Sequence, residues 1–475
     1  MVSVKRLGIA GIAAILFAST WTSAQVGRRF PSEKAIIPDP VTGVAMNVLT
    51  NGKQSDAKIY QTHPQWTSDG KWIIFRTAGR VPGSQAFAVN EESGDIVQLT
   101  EGSGNASNGL NVARKSMRLF FIRNDAVAKT ETPPPPTTTP SAGTPTGAAT
   151  APSGPPKPKI DPVYQIIELD LARLLADALA DAAKPAREYE RICATLPADV
   201  RDAGSLAIDA NEKVAYISIA GSDVGKHLPT GVEVWKKQYD MRMGTGPGGL
   251  RAVDLQTGEM RVVIDTAFKI GHVQTNPFVP GEIVYCHETG GDAPQRMYTV
   301  KGDGSGNRPL FVEGPDDWVT HEAVVTPDEV MFNLIGHQAR LRKRPTGIAV
   351  VNLRTDAVNI LGQIEERSPE DTNAANLPSQ NAAGRDNYGG YWHCNGSPDG
   401  RWAVGDTFQG NVWLIDRKNG GMSLLSTDHK MKPDHCHPTF SADSKRILIQ
   451  SGHFTDGKRL SLIVLPVPDA ALAKK

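Results

Sequence analysis

Two histidines near the C-terminus are spaced so that they could bind one metal ion. His435 and His437 flank Cys436 and lie just before a polar turn and the apolar run Ile447–Ile449. Side chains two residues apart on an extended strand point the same way, so both imidazoles can reach one point while Cys436 faces the opposite side. The pair supplies half of a metal site, and it lies on a turn-then-strand unit that recurs along the chain.

Two further histidines begin comparable units, His321 and His393. A lone histidine at a strand start is usually structural, but four at equivalent positions of a closed ring could line one channel. Three of them could then hold a divalent cation, since imidazole is a common ligand for Zn, Mn, Fe and Ni. His272 and Arg296 come from an intervening unit. A cation, a guanidinium and a free imidazole together suit an anionic substrate.

The elements that must position these residues follow a repeat of a polar turn and an apolar strand. Asp399 and Asp443, in two clean copies, are separated by about the 40 to 45 residues of a four-stranded propeller blade. A ring of such blades closes on itself, and the segment around Val41 to Leu49 is expected to add a strand to the last blade. Neither a solenoid nor a β-sandwich explains the recurring histidines. The sequence predicts an all-β, seven-bladed β-propeller, with units starting at Thr67, Arg114, Ala210, Val279, Thr326, Ser397 and Ser441.

Two insertions interrupt the repeat. Residues 130–158 are rich in Pro, Thr, Ser, Ala and Gly, so they have too little apolar surface to offset the entropy of ordering. They are predicted to form a disordered loop within the second blade. Leu171 to Tyr189 has apolar residues at helical spacing and is predicted to form a short surface helix.

The N-terminus has the features of an export signal. Lys5 and Arg6 precede a short apolar run, and Thr22 to Ala24 offer small residues before a cleavage point. Residues 1–24 are therefore predicted to be a signal peptide and residues 25–475 the mature propeller, which places the protein in the periplasm or outside the cell. A retained N-terminal anchor is the alternative. No later segment is apolar enough to span a bilayer.

Composition excludes some partners and leaves the cysteines open. The chain has 51 basic and 51 acidic residues among 475, so charge gives no case for nucleic acid or an anionic membrane. Three of its four cysteines, Cys286, Cys394 and Cys436, lie beside histidines. If those histidines line a channel, the cysteines should pack as small buried hydrophobes. A disulfide or a thiolate ligand is the alternative, because an oxidising compartment permits disulfides.

At these residues the chain resembles the oligogalacturonate lyase family, whose members are seven-bladed propellers related to TolB-like and WD40-like proteins. The resemblance covers most of the chain outside the Pro/Thr-rich insertion. Its more specific motifs are Gly271-His272, Tyr285-Cys286-His287-Glu288, Arg296-Met297, Thr320-His321-Glu322, His393 with Gly405-Asp406, and His435-Cys436-His437-Pro438-Thr439-Phe440.

The resemblance implies a role for each candidate residue. The metal ligands fall on His393, His435 and His437, with Mn²⁺ as the expected divalent cation. The base falls on His321, and Arg296 is implied in catalysis and in substrate binding, with His272 beside it on the substrate.

One position departs from the family pattern. The family's fourth metal ligand is a glutamine three residues before the first histidine of the His-x-His pair, and here that residue is Lys432. An ammonium cannot coordinate a cation. Either the metal keeps three protein ligands and water, or Asp434 or His429 substitutes, or Lys432 has turned to substrate binding and the chemistry has changed.

The implied reaction is metal-dependent β-elimination of 4-linked galacturonate or other uronate oligomers, a step of pectin degradation and carbohydrate metabolism. The competing hypothesis is a non-catalytic periplasmic propeller that binds proteins or sugars, and Lys432 is its best sequence evidence.

Overall fold

The computed structural model describes residues 25–102, 105–128, 160–201, 204–221, 223–236, 244–289, 292–335, 344–364 and 390–468. The predicted signal peptide (1–24) and the predicted disordered insertion (130–158) lie outside these ranges. Within them, no helix has the length and hydrophobicity that crossing a membrane requires.

The described residues form seven antiparallel sheets, which are the blades of a seven-bladed β-propeller. The predicted fold class is thereby confirmed. The strands, in chain order, are β1 (Arg29–Phe30), β2 (Ala35–Pro38), β3 (Ala45–Val48), β4 (Ser55–Lys58), β5 (Trp72–Ala78), β6 (Ser84–Asn90), β7 (Ile96–Gln98), β8 (Asn105–Val112), β9 (Arg118–Ala128), β10 (Ile160–Asp170), β11 (Glu190–Thr195), β12 (Val200–Arg201), β13 (Leu206–Ile208), β14 (Val214–Gly221), β15 (Thr245–Asp254), β16 (Met260–Phe268), β17 (Ile270–Thr275), β18 (Glu282–His287), β19 (Met297–Lys301), β20 (Arg308–Pro309), β21 (Val319–Thr326), β22 (Glu329–Leu334), β23 (Gly347–Asn352), β24 (Val358–Gly362), β25 (Tyr391–Gly396), β26 (Trp402–Thr407), β27 (Val412–Asp416), β28 (Met422–Ser426), β29 (Thr439–Phe440), β30 (Arg446–Ser451) and β31 (Ser461–Pro466).

The blades follow one another along the chain. Blade 1 contains β4 to β7 with β1, blade 2 contains β8 to β11, and blade 3 contains β12 to β16. Blades 4, 5 and 6 contain β17 to β20, β21 to β24 and β25 to β28. Blade 7 combines β29 to β31 with the N-terminal strands β2 and β3. The N-terminal segment adds strands to the last blade as predicted, because Asn47 of β3 pairs with Val464 of β31.

The repeated turn is built by its own side chains. In blade 6, the Ser397 hydroxyl donates to Asp399 (2.5 Å) and accepts the amide of Trp402 (2.8 Å). Gly400 has a φ of +73°, a left-handed conformation that glycine adopts at little cost. Thr67 accepts the amide of Trp72 in the same way in blade 1. The turn sequence thus fixes where each second strand begins.

Packing between blades fills the core. Ile73, Phe75 and Phe87 of blade 1, for example, are fully buried in one cluster with Leu448 and Leu462 of blade 7. All four cysteines are buried and none is in a disulfide, in agreement with the expectation that those beside the histidines pack as small hydrophobes. Three of them, Cys193, Cys394 and Cys436, belong to apolar clusters.

The predicted surface helix is shorter than the sequence suggested. It forms α1 (Leu171–Leu179), with the Asp170 carboxylate accepting the amide of Arg173 at its N-terminus. Its apolar side chains pack against blade 2. The helix ends because Asp181 is left-handed (φ +54°) and the next amide, of Ala182, returns to the carbonyl of Asp177. A 3₁₀ turn follows at Ala186–Glu188.

Candidate active site

Irregularities in the first strands of three blades coincide with the predicted histidines. A β-bulge bends a strand and re-aims a side chain, and it is common beside active sites. His272 and His321 also have left-handed φ angles, +45° and +58°, which are rare for residues with a Cβ. The register shifts fall between Gly271 and Gln274 in β17, Thr320 and Ala323 in β21, and Tyr391 and His393 in β25.

The expected extended strand through the His-x-His pair is wrong. Residues 435–437 lie before β29 and outside any strand, and His437 is left-handed with a φ of +49°. The cause is the carboxylate of Asp406, which accepts the amides of Cys436 (3.1 Å) and His437 (3.3 Å) and so turns this backbone toward blade 6. Cys436 is nonetheless buried, as expected.

The structure still brings the four predicted channel histidines together. The ring centroid of His393 lies 3.9 Å from those of both His321 and His437. It lies 5.2 Å from that of His435. His393 is therefore the centre of the cluster, which spans blades 5, 6 and 7.

Hydrogen bonds fix which nitrogen of each ring is available. The Nδ1 atom of His393 lies 3.1 Å from both carboxylate oxygens of Asp406. That of His321 lies 2.5 Å from the carbonyl oxygen of Trp392. An oxygen acceptor requires the proton on Nδ1, so Nε2 of both rings keeps its lone pair.

His437 follows the same pattern. Its Nδ1 lies 3.0 Å from the carbonyl oxygen of His435 and 3.2 Å from the amide nitrogen of Gln450. That amide already donates to Asp434 (3.0 Å) and to the same carbonyl (2.9 Å), so both of its protons are engaged. His437 Nδ1 therefore donates, which leaves Nε2 with the lone pair.

The protonation of these rings suits coordination and proton abstraction. Burial, with neighbouring imidazoles, holds the pKa values of His321 and His393 well below the ordinary value. Burial lowers the pKa of His437 to about 4. All three are therefore neutral near pH 7, the form that binds a metal or accepts a proton.

The three histidines His393, His435 and His437 fit a divalent cation by donor chemistry. The Asp406–His393 bond is the carboxylate–imidazole arrangement that orients metal-bound histidines. A second group of donors, His272, Cys286 and Glu288, has ligand atoms within 4.8 Å of one another. It suits a cation less well, since the Arg296 guanidinium lies 3.2 Å from His272 Nδ1. The assignment to the three histidines stays a prediction.

Arg296 and His272 are in contact, and both also contact Glu322, to which the sequence analysis gave no role. Arg296 Nε donates to Glu322 Oε2 (3.1 Å), and both side chains are buried. His272 lies between Glu322 (3.4 Å) and Glu288 (3.2 Å). The Arg296 charge, against the effect of burial, holds the pKa of Glu322 below its ordinary value. The position of Glu322, directly after His321, was the available signal.

Lys432, at the position of the family's fourth ligand, and the two proposed substitutes for that ligand have different surroundings. Lys432 is exposed. His429 is not available as a ligand, because its two ring nitrogens bond the hydroxyls of Ser451 (2.8 Å) and Ser426 (2.7 Å). Asp434 accepts the amides of His435 and Gln450 and lies beside the cluster. Of the two proposed substitutes, Asp434 is therefore the one that these contacts leave as a possible ligand.

Three residues of the site were missed by sequence reasoning. Tyr60 follows β4 and contacts the rings of His272 (4.8 Å between centroids) and His437 (5.3 Å). Lys58 is buried, bonds the Thr439 hydroxyl at 3.0 Å and has its pKa lowered to about 7 by burial. Asp406 is the third, because it was named in a motif with His393 but was given no role. Its direct pairing with His393 across β25 and β26 would have been visible only with the strand register in hand.

Comparison with known proteins identifies the family and agrees with the fold. A family model described as oligogalacturonate lyase matches residues 197–471, more than half of the chain. No curated protein sequence matches. Two solved structures are similar over 94% of this chain and all of their own: an oligogalacturonate lyase in complex with manganese (19% identity, TM-score 0.66) and an oligogalacturonate lyase from Vibrio parahaemolyticus (17%, TM-score 0.65). The chain belongs to the oligogalacturonate lyase family and is a lyase with the seven-bladed propeller fold.

Proposed function

We propose that this lyase cleaves oligogalacturonides, or other 4-linked uronate oligomers, by β-elimination at the histidine end of the channel. The observation that carries the proposal is the neutral His321, whose Nδ1–H is held by the Trp392 carbonyl and whose Nε2 lone pair is free of that bond. Such a nitrogen can accept the C5 proton of a uronate while the C4 glycosidic oxygen departs.

Arg296 supplies positive charge beside that base. A uronate carboxylate placed against its guanidinium draws off the charge that develops at C5 as the proton leaves. Glu322 shares the guanidinium and fixes its orientation, since the Nε–H of Arg296 is committed to that carboxylate. Tyr60 and His272 complete the wall on this side. Lys432 is exposed, and its proposed role is to bind a carboxylate of a longer oligomer.

His393, His435 and His437 would hold the divalent cation, with Mn²⁺ proposed because a similar lyase structure contains it. When bound, the cation supplies Lewis-acid stabilisation of the substrate carboxylate. Asp406 holds the His393 ring and, through two amides, the loop that carries the other two ligands. Export to the periplasm or beyond, on the basis of residues 1–24, remains part of the proposal.

The test is to incubate the purified protein with oligogalacturonides and Mn²⁺ and to follow the absorbance of the unsaturated product. We expect turnover with Mn²⁺ and none after chelation, and we expect His435→Ala to lose both bound metal and activity. If no uronate oligomer is cleaved with any divalent cation, the protein is a non-catalytic binding propeller.

A further inference from the structure

The channel has a second end, and it holds a cavity of about 450 Å³. Its lining includes Val324, Asn395 and Phe440, toward the ends of β21, β25 and β29. The candidate-site histidines of these blades, His321, His393 and His437, lie near or before the starts of the same strands. Residues 59–65, here called the plug segment, lie between the two ends. Tyr60 of this segment contacts the histidine cluster, and the residues from Gln61 onward line the cavity.

The plug segment presents unused oxygen acceptors to this cavity. The Gln61 amide nitrogen faces two carbonyl oxygens, of His321 (3.3 Å) and Cys394 (3.2 Å). The Gln65 amide nitrogen likewise faces the carbonyls of Tyr60 and His63. These contacts fix the orientation of both amides, because a flipped amide would place oxygen against oxygen.

The remaining oxygens have no protein partner among the described residues. Gln61 Oε1, Gln65 Oε1 and Thr62 Oγ1 are all buried without one. Gln61 and Gln65 are only 2% and 1% exposed. A buried polar atom left without a hydrogen-bond partner destabilises the folded protein. Three such atoms around one cavity therefore favour a ligand that brings hydrogen-bond donors.

A cation lies at the same cavity. Arg114 lines it, is exposed, and has no carboxylate partner in the described part of the chain. The other charged lining residues are already engaged: Asp69 accepts from Thr67 and Lys71, and Asp443 and Arg446 bond each other. Arg114 is therefore the charged group left for a ligand, and a guanidinium favours a carboxylate.

We propose that this cavity binds a small polyhydroxylated carboxylate, a sugar acid of one or two rings. Its hydroxyl groups donate to the oxygens of the plug segment, and its carboxylate pairs with Arg114. The volume lies within the range of small-molecule sites, and Phe278 offers an apolar wall. The site is separate from the histidine cluster and does not depend on turnover there.

Calorimetry with D-galacturonate as the probe tests this site. The monosaccharide has no glycosidic bond at C4, so it binds without being cleaved. The titration uses metal-free protein carrying His435→Ala, which disables the other end of the channel. We expect one binding event, and about ten-fold or greater weakening with D-galactose, which lacks the carboxylate.

Two substitutions and one matched control locate the event. Arg114→Gln should weaken galacturonate binding by about ten-fold or more, whereas Lys115→Gln, which removes the same charge one residue away and outside the cavity, should not. Thr62→Val should weaken binding without lowering the melting temperature, because the deleted hydroxyl has no protein partner.

The proposal fails if galacturonate gives no binding heat, or if galactose binds equally well. It also fails if Arg114→Gln and Lys115→Gln bind alike. If the wild-type protein binds galacturonate and the His435→Ala protein does not, the binding belongs to the histidine end of the channel. None of these results depends on whether the wild-type protein cleaves oligogalacturonides.

Discussion

The two ends of the channel differ in the kind of atom that they leave without a hydrogen-bond partner. At the histidine end, the Nδ1 protons of His321, His393 and His437 are held by protein oxygens, which leaves nitrogen lone pairs for a cation or a proton. At the plug end, the amide protons of Gln61 and Gln65 are held, which leaves oxygen acceptors. Imidazoles and side-chain amides each carry both a hydrogen-bond donor and an acceptor. At both ends the protein engages the donor, which leaves basic nitrogens at the histidine end and oxygen acceptors at the plug end.

The ends also differ in backbone strain. Three histidines of the first end, His272, His321 and His437, have left-handed φ angles. At the turn end, the left-handed position is occupied by Gly70 and Gly400, which carry no Cβ, in two blades and by Glu212 and Ser444 in two others. A non-glycine residue in this region costs on the order of 1 kcal/mol or more. Strain at the histidine end thus falls on the imidazoles of the candidate site, whereas at the turn end glycine removes it in some blades and Glu212 and Ser444 carry it in others.

His321→Ala should have the largest effect. Removing the proposed base should lower kcat by about 10²- to 10⁴-fold, because general-base catalysis contributes a factor of this size. The metal content should stay unchanged, since His321 is not a proposed ligand. Steady-state kinetics and metal analysis on the same preparation check both expectations. A variant that loses metal in proportion to activity would show that His321 belongs to the cation site.

His429 is a structural histidine, and its effect on the pH dependence of stability can be compared with that of the site histidines. It is buried between two serine hydroxyls, and burial lowers its pKa to about 4. Between pH 4 and the unfolded value of about 6.5, the unfolded chain binds the extra proton, so stability is present above pH 6.5 and lost as pH falls. This one group accounts for about 3 kcal/mol of that loss.

The measurement is denaturant unfolding of the protein and of His429→Gln across this pH range. The variant should be less stable at pH 7 and should lose less stability on acidification. Equal pH dependence in the two proteins would mean that the other buried histidines dominate the acid response.

Asp406→Asn should weaken the cation site while leaving the substrate base in place. In the wild-type protein both carboxylate oxygens of Asp406 accept hydrogen bonds, from His393 Nδ1 and from the backbone amides of His393, Cys436 and His437. The asparagine side chain has only one oxygen, and its NH₂ group cannot accept these bonds. Loss of such an outer partner typically costs about 10- to 100-fold in metal affinity. Metal titration checks this, and Asp416→Asn serves as the control, since that carboxylate pairs with Arg401 away from the channel.

The strand positions, which depend on local sequence pattern, could be predicted from the sequence. Contacts between residues of different blades could not. The turn repeat, seen at Thr67 and Ser397, sets the strands and hence the number of blades. The histidine positions followed from where each unit begins. The extended His435–His437 strand was wrong because a carboxylate from the neighbouring blade reshapes that backbone. Tyr60 carries no repeat signal at all, since the plug segment belongs to blade 1 yet contacts blades 4 and 7.

Lys432→Gln should have the smallest effect and bears on the one departure from the family pattern. Lys432 is exposed, and its carbonyl packs against Gly452 and Gly457, so the backbone position is fixed while the side chain is not. A glutamine there adds a neutral oxygen donor and removes a positive charge that opposes the cation. We expect Mn²⁺ to bind several-fold more tightly in the variant, measured by calorimetry without substrate. Lys432→Met removes the charge without adding a donor, so it separates the two causes: equal tightening in both variants assigns the effect to charge alone. If neither variant changes metal affinity but both raise KM for oligogalacturonides, Lys432 contacts the substrate carboxylates and has no part in the cation site.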